Sequence, residues 1–251
     1  MKSSVFFKCV VVAVFSFNSI CYAQIESSHF QNDVLDVDIV KIDQPQNLHL
    51  FLNDRQTHQP LRKFKAVAKQ LKPCEKLLFA MNAGMYHADY SAVGLYIEAA
   101  RQQQKLNMVK QAYGNFHLQP NGVLAWNRYY SLIAKTEDYQ KLNFNAEYAT
   151  QSGPMLVIDG QINPHFFKDS DSFKIRNAVG IKDQSLYFVI SRNAVSFYQF
   201  AQFFQQQLKV QHALYLDGSI SSAYIPQLKR SDSLFNLGPM VAYIDQQNCS
   251  T

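Results

Sequence analysis

The sequence predicts a β-rich α+β domain with mixed sheets and a few packed helices. Three observations carry that expectation. Many short apolar runs of strand length are separated by Gly, Asn, Asp and Pro; only two stretches repeat apolar residues at helical spacing; and 47% of the 251 residues are hydrophobic, enough for one substantial core.

Residues 34–42 (VLDVDIVKI) and 48–52, either side of Pro45, have strand character and read as an opening hairpin. In 61–71 (LRKFKAVAKQL), Leu61, Phe64, Val67, Ala68 and Leu71 fall on one helical face and Pro73 stops the helix. Short strands are expected at 77–81, 93–97 and 123–126. Residues 155–158 run into the Asp159-Gly160 turn pair, and 186–190 follow the polar turn Lys182-Asp183-Gln184, so both read as hairpins. The main core helix is expected over 197–208 (FYQFAQFFQQQL), with Phe197, Phe200, Ala201, Phe204 and Leu208 on one face and Ser196 as N-cap. Residues 213–216 and 240–244 complete the strands.

The first residues carry Lys2 and Lys8, an apolar run over 9–17 and small residues up to Ala23. That order is the pattern of a secretory signal peptide, and the run is too short to span a bilayer. Cleavage after Ala23 is expected, leaving a domain over 24–251, exported to a periplasm or secreted. The formal net charge of +5 drops by two when Lys2 and Lys8 leave. So mild a balance excludes nucleic acid as the main partner, because phosphate-backbone binding needs clustered cations. Cys74 and Cys249 then remain in a compartment where disulfides form. They are either a bridge worth ~4 kcal/mol on chain-entropy grounds or two free thiols.

Five segments share one design, an apolar strand running into a loop of small polar residues. They are Met81-Asn82-Ala83-Gly84-Met85-Tyr86, the stretch from Gly114 to Gly122, Gln151-Ser152-Gly153-Pro154, Ile175-Arg176-Asn177-Ala178-Val179-Gly180, and Leu216-Asp217-Gly218-Ser219-Ile220-Ser221-Ser222. Singly, each is an ordinary turn. Together and in this order, over about 79–244, they resemble the phosphodiester glycosidase family. Its pattern is Asn-Gly-Gly with an aromatic, then Ser-Gly-Pro, Arg-Thr-Ala-x-Gly, a helix, and hydrophobic-Asp-Gly-Gly-x-Ser. This chain departs from that pattern at Ala83, at Asn177 in place of threonine, and in the missing glycine run after Gly218.

The resemblance implies hydrolysis of a sugar 1-phosphodiester through an oxocarbenium-like state, stabilised by a carboxylate. Asp217, directly after an apolar strand, is the expected carboxylate, the alternative being the first residue of a turn. Arg176 is the expected fork for phosphate oxygens, or else an ion-pair partner. Asn82 completes the catalytic group. Ser152, Gly153, Asn177, Gly218, Ser221 and Ser222 are the expected substrate contacts, unless they cap turns. Tyr86 and Phe116 either stack on a sugar or pack in the core, and His117 is either a proton shuttle or structural. Glu98 and Asp159 are possible second carboxylates.

No Gly-x-Ser-x-Gly elbow, His-Glu-x-x-His pair, P-loop or dinucleotide fingerprint occurs in the sequence, so no cofactor is expected. A divalent cation bridging Asp217 and a substrate phosphate stays open. The implied partner is a phosphorylated carbohydrate or a cell-envelope glycan. Two competing readings are a non-catalytic glycan- or phosphoglycan-binding envelope protein and a phosphodiesterase that cleaves the P–O bond.

Overall fold

In a computed structural model, residues 25–217, 220–246 and 249 are described; the expected signal segment lies outside them. With strands numbered in chain order, a seven-stranded sheet runs β1 (Ile25–Gln31), β2 (Asp36–Ile42), β13 (Ser185–Ser191), β12 (Asn177–Lys182), β14 (His212–Tyr215), β10 (Met155–Ile158), β11 (Gln161–Ile162). A five-stranded sheet runs β16 (Arg230–Ser231), β15 (Ala223–Ile225), β4 (Lys76–Asn82), β17 (Met240–Asp245), β3 (Leu48–Phe51). A second five-stranded sheet runs β6 (Arg101–Gln104), β5 (Tyr96–Glu98), β9 (Tyr148–Ser152), β7 (Gly122–Trp126), β8 (Ser131–Lys135). The α+β class holds, but every pairing among these strands is antiparallel rather than mixed.

The central strands are apolar on both faces because both are covered. On one face Val40, Val179, Phe188 and Leu214 meet Leu50, Phe79, Met81 and Tyr243 of the second sheet, and Leu124 and Trp126 of the third. On the other, Val37, Ala178, Val189 and Tyr215 pack under helix α3 (Phe197–Phe203). The rings of Phe200, Phe203 and Phe204 are buried there, each contributing about 2–3 kcal/mol. Ser196 caps α3 as expected: its Oγ accepts from Gln199 N, while Gln199 Oε1 accepts from Ser196 N. The helix then widens into a π turn over Phe204–Leu208 and stops at Lys209, which is left-handed (φ 54°).

Two expectations are corrected. Strands β2 and β3 do not form a hairpin: β2 lies between β1 and β13, while β3 pairs with β17. The single 3₁₀ turn Pro45–Asn47 redirects the chain from one layer to the next. The helix expected over 61–71 shortens to α1 (Phe64–Lys69). Leu61 N is bonded to Leu52 O and Arg62 bridges Leu237, so extended pairing claims the first turn. The helix α2 (Thr136–Lys141) follows β8.

The hairpins at Asp159-Gly160 and Asp183-Gln184 form as expected. All four residues have positive φ, the two-residue turn whose twist suits a hairpin. Cys74 and Cys249 are bridged, with Cα atoms 5.0 Å apart, which ties the loop before β4 to the segment after β17. No described helix is long and apolar enough to cross a membrane.

Candidate functional site

The polar loops converge where the three sheets meet. Asn177, opening β12, donates from Nδ2 to Asn82 O (2.8 Å) and Oδ1 (3.1 Å) at the end of β4, joining the first two sheets. Ser152, ending β9, donates from Oγ to Leu216 O (2.7 Å), joining the third sheet to the first. Thr150 Oγ1 closes the circuit by donating to Ala83 O (2.8 Å).

These bonds fix the backbone around Asp217. Its N–H donates to Asn177 Oδ1 (3.1 Å), its carbonyl accepts from Ser221 Oγ (2.8 Å), and the carbonyl just before it is held by Ser152. Asn82 Oδ1 also accepts from Ser222 N (2.8 Å), which anchors the far end of the loop, and Ser222 Oγ turns inward to Ile220 O. Asn82 is fully buried, and its Nδ2 has no acceptor among the described residues. Gly218 lies outside the described residues. Gly153 is required sterically, since a Cβ there would stand 2.7 Å from Asn121 Cβ and 2.9 Å from Phe116 O.

Asp217 is 8% exposed and borders two phenols. Burial first, then the Asp217 charge, pushes Tyr86 up to about 12. Tyr215 is likewise raised, by burial first; Arg176 opposes the shift and Asp217 adds to it. Arg176 and Asp217 thus act on the same hydroxyl. The register explains why: Ala178 pairs with Tyr215, so two residues further on Arg176 and Asp217 fall at the same strand ends and on the same sheet face.

Arg176 is 1% exposed and lies flat on the Phe197 ring, 3.7 Å from its centroid. Its Nε donates to Val195 O, one terminal nitrogen to Ser172 O and the other to Tyr215 Oη at 3.3 Å. The fork expected to grip phosphate is therefore bonded to protein acceptors and braces Tyr215 from behind. Burial lowers its pKa from the ordinary guanidinium value, with Tyr215 opposing.

Tyr86 donates from its hydroxyl to Asn236 O (2.7 Å), stacks on Tyr90, and packs so closely on Gly238 that a Cβ there would lie 2.4 Å from the ring. His117 is placed elsewhere, lining a cavity of about 520 Å³ with His165, Gln119 and Phe166, its Nδ1 3.1 Å from Val109 O. Phe197 forms part of that cavity's wall and also carries Arg176 and Tyr215, while Asp217 does not line the cavity. Phe116 is buried core.

The two further carboxylates are not in this group. Glu98 accepts from Tyr96 Oη on β5, and burial raises its pKa. Asp159 faces His212, which pairs with Ile181 five residues along β12 from Arg176, roughly 17 Å at strand rise. Among the described residues no group of three or more His, Cys, Asp or Glu is placed to hold a metal ion. Tyr215 and Thr150 were not singled out from the sequence. Tyr215 sits in an apolar strand and Thr150 in a polar one, and neither stretch carries a turn signal.

The phosphodiester glycosidase family model matches residues 75–236. The chain belongs to the phosphodiester glycosidase family. The matched span contains every candidate residue of the Asp217 loop. The chain is 40% identical over 147 residues to the uncharacterized protein YigE of Escherichia coli. That match covers 58% of this chain and 57% of the relative, a little over half of each. In fold it is similar to the zebrafish N-acetylglucosamine-1-phosphodiester alpha-N-acetylglucosaminidase catalytic domain, auto-inhibited by its pro-peptide. The TM-score is 0.67 at 14% identity, covering 89% of this chain and 84% of that one.

Proposed function

We propose that this phosphodiester glycosidase is an exported hydrolase that cleaves a sugar 1-phosphodiester at the glycosidic C–O bond, with Asp217 as the carboxylate facing the anomeric carbon. The observation that carries this reading is the bracing of Asp217, whose flanking backbone is held by Asn177 and Ser152 from strands of two sheets and by Ser221 from its own loop. A carboxylate carried on backbone fixed in advance stabilises an oxocarbenium-like state with little reorganisation of the chain as charge develops. As the anomeric C–O bond breaks, the electron pair leaves with the phosphoryl oxygen. A water oxygen ends on the sugar, and its proton ends on the departing phosphomonoester. A phosphate leaves more readily than a sugar alkoxide, so the site needs no strong general acid.

Export is supported by the basic, apolar and small-residue order of the first 23 residues and by the Cys74–Cys249 bridge, which suits an oxidising compartment. The substrate would then be a phosphorylated carbohydrate or an envelope glycan.

Incubation with a panel of GlcNAc 1-phosphodiesters in isotopically labelled water tests the chemistry. Label in the free sugar is expected; label in the phosphate would move the cleavage to the P–O bond. Asp217→Asn should lower kcat by roughly a hundred- to a thousandfold with the melting temperature nearly unchanged. Activity like that of the wild type in this variant would remove Asp217 from the mechanism. Saturable glycan binding with no turnover by the wild type would make the protein a binding module.

A further inference from the structure

A cleft of about 580 Å³ opens directly beside the Asp217 loop. We propose that it binds the phosphoryl group of the substrate, and afterwards of the phosphomonoester product, through Lys174, Arg192 and Arg230. This assignment rests on the phosphodiester reading above and supplies the cationic contact that Arg176, bonded to protein on three sides, does not offer.

Three cations line the cleft against one carboxylate, Asp232. The two arginines come from distant parts of the chain and are locked by one fully buried acid. Arg192, after β13, places Nε 2.9 and 3.0 Å from the two oxygens of Asp38, and Arg230, on β16, reaches Asp38 Oδ2 at 3.1 Å. Asp232 holds Arg230 Nε at 2.8 Å, and Asp36 approaches Arg192 only to 4.0 Å. A carboxylate buried behind two guanidinium groups orients them while leaving donors over. The terminal nitrogens of Arg192 have no acceptor among the described residues, and its side chain is 40% exposed. Lys174 is exposed and has no ion-pair partner among the described residues. Planar forks held in advance, with a point charge beside them, are suited to a phosphate's spread of oxygens.

Position ties the cleft to the chemistry. Ser221 lines it and also donates to Asp217 O, so one side chain belongs to both. Lys174 is held by two backbone bonds to Val195, the residue whose carbonyl accepts from Arg176. Leu234 and Phe235 also line the cleft and are exposed, and Lys63 Nζ braces that loop through the carbonyls of residues 233 to 235. Cations for an anion and exposed apolar surface for a carbon skeleton thus line one cleft.

Titration of the full chain with inorganic phosphate and phenyl phosphate, followed by calorimetry, tests this without requiring turnover. Saturable binding is expected, weakened about tenfold or more by Lys174→Glu and by Arg192→Gln, each removing one charged contact. Asp217→Asn should retain it, which separates a failure of the cleft from a failure of the catalytic assignment. Arg192→Gln loosens a buried acid, so its fold is checked by circular dichroism; Lys174→Glu alters only an exposed side chain and stands alone if the first variant does not fold. Absence of saturable phosphate binding in the wild type, or an affinity unchanged in Lys174→Glu, would overturn the proposal.

Discussion

His49 sets an acid limit on this fold. Its Nδ1 lies 2.7 Å from the Tyr148 hydroxyl, its ring meets Tyr148 edge-on, and its buried Nε2 has no partner among the described residues. Burial, with Arg55 second, lowers its pKa from 6.5 to about 4. Between those values the unfolded chain binds a proton that the folded chain refuses. Stability from this residue is therefore complete above pH 6.5 and is lost as pH falls toward 4, on the order of 3 kcal/mol. Urea midpoints should drop across that window, and His49→Gln should flatten the slope; an equal slope in the variant would assign the effect elsewhere. At this scale the sequence revealed residues in or beside small polar loops, such as Asn82, Asp217 and Ser221, because such loops announce themselves. It hid Asp38, whose partners Arg192 and Arg230 lie 154 and 192 residues away, although an acid between apolar neighbours in 34–42 is itself a signal of a buried charge needing cations.

Elements were legible where pattern and end signals agreed. Helix α3 has both the apolar face and the Ser196–Gln199 capping box, and the Asp159-Gly160 hairpin has turn residues that tolerate positive φ. Strand β6 was not legible, since Arg101–Gln104 is polar and exposed throughout and carries no alternation. Its connection to β5 is also unusual: Ala99 (φ 49°) and Ala100 (φ 61°) form the two-residue turn without glycine or asparagine. Left-handed backbone costs alanine about 1 kcal/mol or more, so Ala100→Gly should raise stability by about 0.5–1 kcal/mol after the added freedom of the unfolded chain is counted. A lower urea midpoint in that variant would show that the turn is not strained.

At the scale of the molecule, the order of strands could not be read from the sequence, because antiparallel partners are chosen by long-range packing that local patterning does not record. The opening hairpin fails for this reason: β2 and β3 both look like strands, yet each finds partners far along the chain. The Cys74–Cys249 bridge is the one long-range link that the sequence offered as an alternative, and it spans 175 residues. Loss of that constraint, by reductant or Cys74→Ser, should destabilise the fold by about 4–5 kcal/mol on chain-entropy grounds. For a domain of this size that is a melting temperature lower by about 10 °C or more. An unchanged melting curve under reductant would mean that the bridge adds nothing to stability.

The same bridge makes a covalent ring of everything between its two cysteines. A protease that nicks one exposed turn inside that ring opens the loop without releasing a fragment. The severed halves of the three-sheet junction stay on one molecule, able to re-form the site, until both the peptide chain and the sulfur link have been broken.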